Sequence, residues 1–225
     1  MYIGCLNRGV FQTRWKRTKL IPITKPGKDN CEDVTTLRPI SLINTSGRVL
    51  EKLLINRINH HVFSHNYMNN QYGFTPQKST IDAAMAVNNV VIEGLTAGDV
   101  IVLVSLDVKG AFGAVWWPAI LNGLRAYECP NNLFNLARSY FTERSAYLYT
   151  NNYRIQREVC KGCPQISCCG TGLWNIQYNP ILNLNFTKLT TAVAFADDLL
   201  LITRGESVRE TKNFANRNQQ YKRMV

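Results

Sequence analysis

Three aspartates stand among apolar residues, and this placement suggests metal chemistry. Asp107 follows the apolar run 100–106, and the pair Asp197–Asp198 interrupts the apolar segment 192–202. A carboxylate between core residues is costly unless it is paired or binds a metal, and two adjacent carboxylates also repel each other. A divalent cation would relieve both penalties. Carboxylates that hold two such cations are typical of two-metal phosphoryl transfer, so we interpret the three aspartates as candidates for such a site.

Each aspartate also has a simpler interpretation. A single aspartate at the end of a strand is often a turn or cap residue, and an Asp-Asp pair at a hairpin tip can form the turn itself. The metal hypothesis therefore depends on Asp107, Asp197 and Asp198 being considered together.

The charge of the chain indicates a polyanionic partner. Lys and Arg number 26 against 15 Asp and Glu, which gives a net charge of +11, and seven of the basic residues precede residue 29. Nucleic acid and a nucleotide triphosphate fit this excess, although charge alone supports only non-specific attraction and anionic lipid fits it too. Apolar residues make up 45% of the 225 residues, which excludes a disordered chain and is ample for a core.

Other features favour an intracellular protein, nuclear or cytoplasmic, that is neither secreted nor membrane-bound. No apolar run approaches the roughly 18–20 residues of a membrane span, and no secretory signal is visible at the N-terminus. The seven cysteines are an odd number without scaffold spacing, which favours reduced thiols. Cys160 and Cys163 form a CxxC pair, but zinc needs four well-placed ligands and the three histidines lie far away in sequence. We therefore favour buried free thiols over zinc.

The spacing of apolar residues, together with the positions of Gly, Pro and capping residues, predicts an α+β protein in which helices cover a small antiparallel sheet. A helix is expected over 47–63 with Ser46 as its N-cap, and another over 80–93 with Thr80 as its N-cap and Gly94 at its end. Further helices are expected from Pro118, from Pro130, over 171–183 and from Glu206 onward; a strand is expected over 100–108, and hairpins over 147–155 and 191–203.

Five short segments, in order, resemble motifs of reverse transcriptases. They are Leu37–Leu42, Gln71–Phe74 with Lys78–Thr80, Leu106–Phe112, Lys161–Gln165, and Phe195–Asp198 with the sequence Phe-Ala-Asp-Asp. The sequences of these segments most resemble those of non-LTR (LINE-type) retrotransposons, in particular the insect clade that inserts into ribosomal RNA genes. The resemblance extends from about Trp15 to Arg209.

This resemblance implies a right-hand polymerase fold with fingers and palm. Residues 1–98 would be a fingers-like basic region and residues 99–225 the palm, interleaved in one reverse transcriptase domain. The implied activity is RNA-directed DNA polymerisation, in which a dNTP is added to the 3′-hydroxyl of a DNA primer on an RNA template. The basic N-terminal segment would contact template phosphates.

The resemblance also implies the metal ligands. Asp107 and Asp197 would bind two Mg²⁺ ions, with Mn²⁺ as an alternative, and Asp198 would complete the catalytic group. The carbonyl oxygen of Val108 would be a further ligand.

Four more positions match residues that contact the nucleotide. Phe112 would be the steric gate that excludes a ribose 2′-hydroxyl, and Gln165 would line the pocket. Lys25 and Arg38 would hold the triphosphate, because phosphoryl transfer needs charge neutralisation beyond the metals. The simpler interpretations are a core residue for Phe112 and solvated surface for the two cations.

The chain departs from the family pattern at several points. Gly113 replaces the usual Asp, and Ile166 replaces a Gly at a place where a β-branched residue adds bulk and restricts φ and ψ. The expected thumb and the upstream endonuclease are not recognised in the 225 residues. We therefore expect a partial or decayed, truncated copy, and the alternative function is that of a non-catalytic nucleic-acid-binding relic with the same fold.

Overall fold

The fold is given by a computed structural model that describes residues 1–218 except 28–32, 34–35, 66, 69, 109, 151–152, 165, 185 and 187–188, without the side chains of 217 and 218. The helices are α1 (Tyr2–Arg8), α2 (Thr45–Ser64), α3 (Thr80–Thr96), α4 (Ala111–Ala114), α5 (Trp117–Ala126), α6 (Asn131–Phe141), α7 (Gly170–Leu182) and α8 (Val208–Asn218), with a 3₁₀ turn at Thr13–Trp15. The strands are β1 (Arg17–Thr24), β2 (Leu37–Ile43), β3 (Val100–Asp107), β4 (Ser145–Thr150), β5 (Tyr153–Glu158), β6 (Thr190–Phe195) and β7 (Asp198–Gly205).

The strands form a four-stranded and a three-stranded sheet. The larger sheet has the order β2-β1-β4-β5, in which β1 runs parallel to β4 and the other pairs are antiparallel. The smaller sheet has the order β3-β7-β6 and is antiparallel throughout. The predicted α+β class is confirmed.

The chain divides into two compact units, each built from two segments. The first unit comprises Met1–Tyr67 and Phe112–Gln177 and contains the four-stranded sheet. The second unit comprises Met68–Ala111 and Tyr178–Val225 and contains the three-stranded sheet. The assignment of 1–98 to fingers and 99–225 to palm stays a prediction.

In the second unit, α3 covers one face of the three-stranded sheet. Ala83 packs with Val193 of β6 and Ile202 of β7, and further valines of α3 surround this cluster. Gly94 lies inside α3 and does not end it, because the helix runs on to Thr96. A Cβ at Gly94 would lie 2.9 Å from the Cδ1 of Ile101, so glycine permits the close approach of helix and sheet.

The predicted helices are present, but their caps differ from the predicted ones. The N-cap of α2 is Asn44, whose Oδ1 accepts a hydrogen bond from the backbone N–H of Ser46 at 2.8 Å. The N-cap of α3 is Ser79, which forms a capping box with Asp82. Ser46 and Thr80 were therefore wrong as caps, since several polar residues precede each helix and the backbone path decides between them.

Sequence reasoning missed strands β1 and β2. Their residues are mostly exposed or half-buried and do not alternate between apolar and polar, so they lack the pattern that predicts a half-buried strand. Pro22 and Pro39 stand opposite each other in this pair, and proline also lowers a strand prediction. The turn-rich stretch 25–30 and the turn at 151–152 lie partly or wholly outside the described residues.

None of the described helices is both long and apolar enough to cross a membrane. The described cysteines are free thiols, and Cys160 is exposed whereas Cys163 and Cys169 are buried. Burial raises the pKa of the Cys163 thiol to about 12, so this thiol is neutral at physiological pH.

A buried carboxyl group organises the first unit. Glu51 of α2 has no exposed surface, and its Oε1 accepts a hydrogen bond from the hydroxyl of Tyr140 of α6 at 2.5 Å. Its Oε2 accepts from the backbone N–H of Cys168 at 3.2 Å, and its backbone oxygen accepts from the thiol of Cys169 at 3.2 Å. Glu51 thereby ties α2 and α6 to the loop that precedes α7.

Arg144 packs on the ring of Tyr140. Its guanidinium carbon lies 4.2 Å from the centroid of the Tyr140 ring, and its Nη1 donates to the Tyr140 carbonyl at 3.4 Å. Burial raises the pKa of the Tyr140 hydroxyl well above its ordinary value, with Arg144 opposing the rise and Glu51 adding to it. The hydroxyl therefore remains protonated and available as a donor to Glu51.

The same loop contains a strained residue. Ile166 has a φ of +69° although it is β-branched, and its side chain is 61% exposed. The left-handed region costs a non-glycine residue roughly 1–2 kcal/mol, and a β-branched residue is the least suited to it. Position 166 therefore has the backbone conformation of a glycine.

We expect Tyr140→Phe to lower the free energy of unfolding by about 2–3 kcal/mol, because Glu51 would lose a donor in a site that water does not reach. Urea denaturation followed by circular dichroism measures the change. Tyr153→Phe is the matched control, since Tyr153 is 74% exposed. Equal stability of the two variants would contradict the role given to Glu51.

We expect Ile166→Gly to raise the free energy of unfolding by about 0.5–1 kcal/mol, because the relief of left-handed strain exceeds the entropy cost of glycine. Ile166→Ala serves as control in the same denaturation experiment, since alanine removes the bulk but keeps a Cβ. If alanine stabilises as much as glycine, the strain lies in side-chain packing and not in the backbone.

Candidate active site

The three predicted catalytic aspartates lie at one end of the three-stranded sheet. Asp107 is the last residue of β3 and stands directly opposite Asp198, the first residue of β7. Cα atoms of such antiparallel partners are about 4.5–5.5 Å apart, and their side chains share one face. Phe195 pairs with Asp198 across the β6–β7 hairpin, which leaves Ala196 and Asp197 as its two turn residues.

This turn is tight and strained. Of its two residues only Ala196 has a positive φ, +59°, a pattern that resembles a type II′ hairpin turn, in which the first position normally is glycine. Ala196 is buried and Asp197 is half-buried. Asp197 therefore lies in a turn whose other residue, Ala196, has a costly backbone conformation that the surrounding structure must hold in place.

The aspartates are less buried than their apolar neighbours in the sequence. Asp107 and Asp198 are exposed, whereas Leu106, Val108 and Leu199 beside them are buried. Successive residues of a strand point to opposite faces, so apolar neighbours in sequence do not imply an apolar environment for the carboxylate. The unfavourable feature of the site is the proximity of like charges and not their desolvation.

A tyrosine that sequence reasoning missed lies near all three carboxylates. Tyr178 of α7 is only 2% exposed. Burial raises the pKa of its phenol above the ordinary value, and Asp197, Asp198 and Asp107 raise it further in that order. The helix containing Tyr178 was predicted, but periodicity does not reveal which of its side chains lies near the acids.

The carboxylates suit magnesium in type and in backbone position. Hard cations prefer carboxylate and carbonyl oxygens, and the carbonyl of Val108, which accepts the Ala111 N–H at 3.2 Å, has two lone pairs. Within the described part of the chain, however, no three Asp, Glu, His or Cys side chains are gathered closely enough to hold a metal ion.

Gln71 fixes the backbone next to the Asp-Asp pair. Its side chain donates from Nε2 to the carbonyl of Ala196 and accepts the Ala196 N–H at Oε1, both at 3.1 Å. The same Oε1 accepts the N–H of Gly73 at 2.9 Å. Gln71 is 1% exposed, and its neighbour Tyr72 donates its N–H to the Ala194 carbonyl at 2.8 Å.

Gly73 touches this turn through its backbone. A Cβ at position 73 would lie 2.1 Å from the nitrogen of Ala196 and 2.7 Å from its Cα, which no real side chain tolerates. The Gln71–Phe74 motif thus positions the β6–β7 turn of the second unit. Its sequence signal was recognised, but this contact was not predicted.

In the first unit a cavity of about 620 Å³ gathers part of the predicted nucleotide site. Arg38, Phe112 and Ile166 line it, and Arg38 is the only charged residue among the described lining residues. The Phe112 ring is half-buried with its centroid 5.8 Å from that of Trp174, and its carbonyl accepts the Cys163 N–H at 2.7 Å. The volume of the cavity falls in the usual range for ligand pockets, roughly 300–1,000 Å³.

The other two predicted nucleotide contacts, Lys25 and Gln165, are not among the described residues that line the cavity. Lys25 does not line the cavity, although its neighbours Thr24 and Pro26 do; Lys25 donates its backbone N–H to the Thr36 carbonyl at 2.8 Å. Gln165 lies outside the described residues, between Pro164 and Ile166, which both line the cavity. Their roles stay predictions.

Comparison with solved structures shows the fold. The chain superposes on apo telomerase from Candida tropicalis with a TM-score of 0.65 and 11% identity, covering 91% of this chain and 41% of the telomerase. Telomerase from Candida albicans, in complex with a fragment of telomeric RNA, gives a TM-score of 0.63 and 12% identity over 91% of this chain and 39% of that one. The predicted right-hand polymerase fold is confirmed.

Curated relatives come from insect mobile elements. The chain is 31% identical to the 115 kDa protein of the type-1 retrotransposable element R1DM of Drosophila melanogaster, over 92% of the chain and 20% of the relative. It is 30% identical to the Pol polyprotein of element R1 of Bradysia coprophila, over 92% of the chain and 20% of that relative. It is 27% identical to the RNA-directed DNA polymerase of the Drosophila melanogaster mobile element jockey, over 92% of the chain and 23% of that relative.

These relatives confirm the resemblance to non-LTR retrotransposons, and they do not favour the alternative of a non-catalytic relic. The chain spans about a fifth of the length of these relatives. Residues 23–222 match the family described as reverse transcriptase (RNA-dependent DNA polymerase). The chain therefore belongs to the reverse transcriptase family.

Proposed function

We propose that this domain catalyses RNA-directed DNA synthesis, in which the 3′-hydroxyl of a DNA primer attacks the α-phosphate of a dNTP on an RNA template. The observation that carries the proposal is the register of β3 and β7, which sets Asp107 opposite Asp198 with Asp197 in the adjoining turn. Membership of the reverse transcriptase family supports the proposal, in which these acids would lie beside the reacting phosphate.

Asp107, Asp197, Asp198 and the Val108 carbonyl would hold two Mg²⁺ ions, or Mn²⁺ in their place. When bound, such ions activate the attacking oxygen and stabilise the leaving one. The exposure of Asp107 and Asp198 supports this role, because ligands on an open face can reach a cation and a substrate together. The buried phenol of Tyr178 stays neutral beside them and adds no charge.

The residues of the cavity would bind the nucleotide. The guanidinium of Arg38 is suited to bidentate contact with a phosphate, and Lys25 would add a second cation. Phe112 would act as the gate against a ribose 2′-hydroxyl, and its packing on Trp174 supports this role because a braced ring resists displacement. Gln165 would contact the nucleotide from the loop that Glu51 fixes.

Ile166 is a further contributor to the pocket. It lines the cavity at the position where the family has glycine, so its side chain narrows the approach of a substrate to the loop backbone. We infer that this domain is a slow polymerase.

Primer extension on an RNA template with Mg²⁺ and dNTPs tests the proposal. We expect extension by the unmodified chain and at least a 100-fold lower rate with Asp197→Asn, which keeps the shape of the side chain but removes its charge. Glu206→Gln removes the same charge from an exposed position and should extend normally. The proposal fails if the unmodified chain does not extend, or if Asp197→Asn extends equally well.

A second prediction concerns Gly73, which contacts the turn but carries no reactive group. Gly73→Ala should lower the extension rate by about 100-fold, because the added Cβ must displace Ala196 and with it Asp197. Gly4→Ala is the control, since a Cβ at Gly4 meets nothing within 4 Å. A melting curve establishes that Gly73→Ala is folded; a folded variant with the normal rate would contradict the positioning role.

A further inference from the structure

The first unit contains a second cavity, of about 220 Å³, that the catalytic proposal does not use. One wall is a face of the four-stranded sheet, where Leu20 of β1 is paired with Ser41 of β2. Thr18 lies two residues before Leu20 and shares this face. Arg144 and the loop after β5 complete the lining, and we call this space the Arg144 cavity. Its volume lies below the roughly 300–1,000 Å³ that are usual for larger ligands, so it suits a small ion better than a nucleotide.

Arg144 is a buried cation without a carboxylate partner in the described part of the chain. It is 3% exposed, and the ion pairs among the described residues all involve Arg204. Its Nη1 donates to the Tyr140 carbonyl at 3.4 Å and its Nη2 to the Thr18 hydroxyl at 3.5 Å, which are long hydrogen bonds. A guanidinium has five N–H donors, and a buried charge is costly unless it is paired and hydrogen-bonded. An anion in the cavity would pair with this charge.

Other polar residues of the lining can also donate to an anion. Lys161 is exposed and adds a second positive charge. Ser41 is 6% exposed, and its hydroxyl forms no hydrogen bond with another described residue. The Thr18 hydroxyl accepts from Arg144, which leaves its own proton available for donation. The described lining contains no acid, and both carboxylate oxygens of Glu51 already accept hydrogen bonds elsewhere.

A second buried cation lies near Arg144. Lys16 is 3% exposed, and its ammonium donates to the Thr142 hydroxyl at 3.4 Å. Burial lowers the pKa of this ammonium, Glu143 opposes the fall, and Arg144 adds to it. The two cations therefore repel each other in surroundings that water barely reaches. An anion beside Arg144 would offset this repulsion.

The loop that closes the cavity is fixed by hydrogen bonds to the segment 112–117. The N–H of Gly162 donates to the Val115 carbonyl, and the N–H of Cys163 donates to the Phe112 carbonyl, both at 2.7 Å. The carbonyl of Gly162 accepts the indole N–H of Trp117 at 2.8 Å. The cavity is therefore formed in advance, and a ligand does not have to order the loop in order to bind.

We propose that the Arg144 cavity binds one oxyanion of the phosphate type, with Arg144, Lys161, Ser41 and Thr18 as its donors. Free phosphate and pyrophosphate share this chemistry. Only the second source rests on the proposed function, because pyrophosphate is the leaving group of DNA synthesis. An anion that binds the folded chain alone also raises the free energy of unfolding, so the first unit would be more stable when the cavity is occupied.

Isothermal titration calorimetry with sodium phosphate, in EDTA and at constant ionic strength, measures this binding without any nucleotidyl transfer. We expect one phosphate per chain and a higher melting temperature in its presence. Arg144→Lys keeps the charge but loses the planar fork of donors, and should raise the dissociation constant by about 10-fold. Lys161→Gln changes an exposed side chain, which leaves the core intact, and should raise it by about 3- to 10-fold.

Lys52→Gln is the matched control, because it removes the same charge from an exposed position of α2 that does not line the cavity. Arg38→Gln removes the guanidinium of the larger cavity and should bind phosphate like the unmodified chain. The proposal is overturned if phosphate does not bind saturably, if Lys52→Gln weakens binding as much as Lys161→Gln, or if Arg38→Gln abolishes it.

A parallel titration with pyrophosphate distinguishes the two sources of the anion. Binding of either ion that depends on Lys161 supports the proposal; tighter binding of pyrophosphate assigns the site to the reaction product, and tighter binding of phosphate assigns it to the free ion. Phosphate binding that depends on Lys161, in a chain that does not extend a primer, would refute the polymerase proposal alone.

Discussion

The buried carboxyl group of Glu51 is the interaction on which the first unit depends. It joins α2 to α6 through Tyr140 and to the loop before α7 through the N–H of Cys168. A buried carboxyl is stable only when its oxygens are satisfied, so these donors must stay in place. The loop they hold contributes Pro164 and Ile166 to the cavity of the first unit, and Ile166 has a left-handed backbone there.

The second unit is organised by a different constraint, the register of its antiparallel sheet. Pairing of β3 with β7 forces two like charges, Asp107 and Asp198, onto one face. Gln71 and Gly73 hold the turn between β6 and β7 through its backbone, and so keep Asp197 beside them. Placing like charges side by side costs stability, and the bound cations proposed above would offset this cost.

The two departures from the family pattern, at positions 113 and 166, have different structural consequences. A Cβ at Gly113 would meet nothing within 4 Å, so the loss of the usual Asp removes no packing contact there. Ile166 imposes a β-branched residue on a glycine-like backbone inside the cavity wall. The second change therefore affects the cavity wall and the local stability, whereas a Cβ at position 113 meets no described neighbour.

The sequence by itself determined the helices with regular apolar spacing, such as α2, the hairpin of β6 and β7, and the family through its ordered motifs. It did not reveal β1 and β2, whose residues lack apolar alternation, nor the exposure of Asp107, nor the contact of Gly73 with Ala196. The face that β1, β4 and β5 share likewise exists only once these strands are in register. Local patterns follow from the chemistry of neighbouring residues, whereas pairing between distant strands is decided by the packing of the whole unit, and only the tertiary structure contains it.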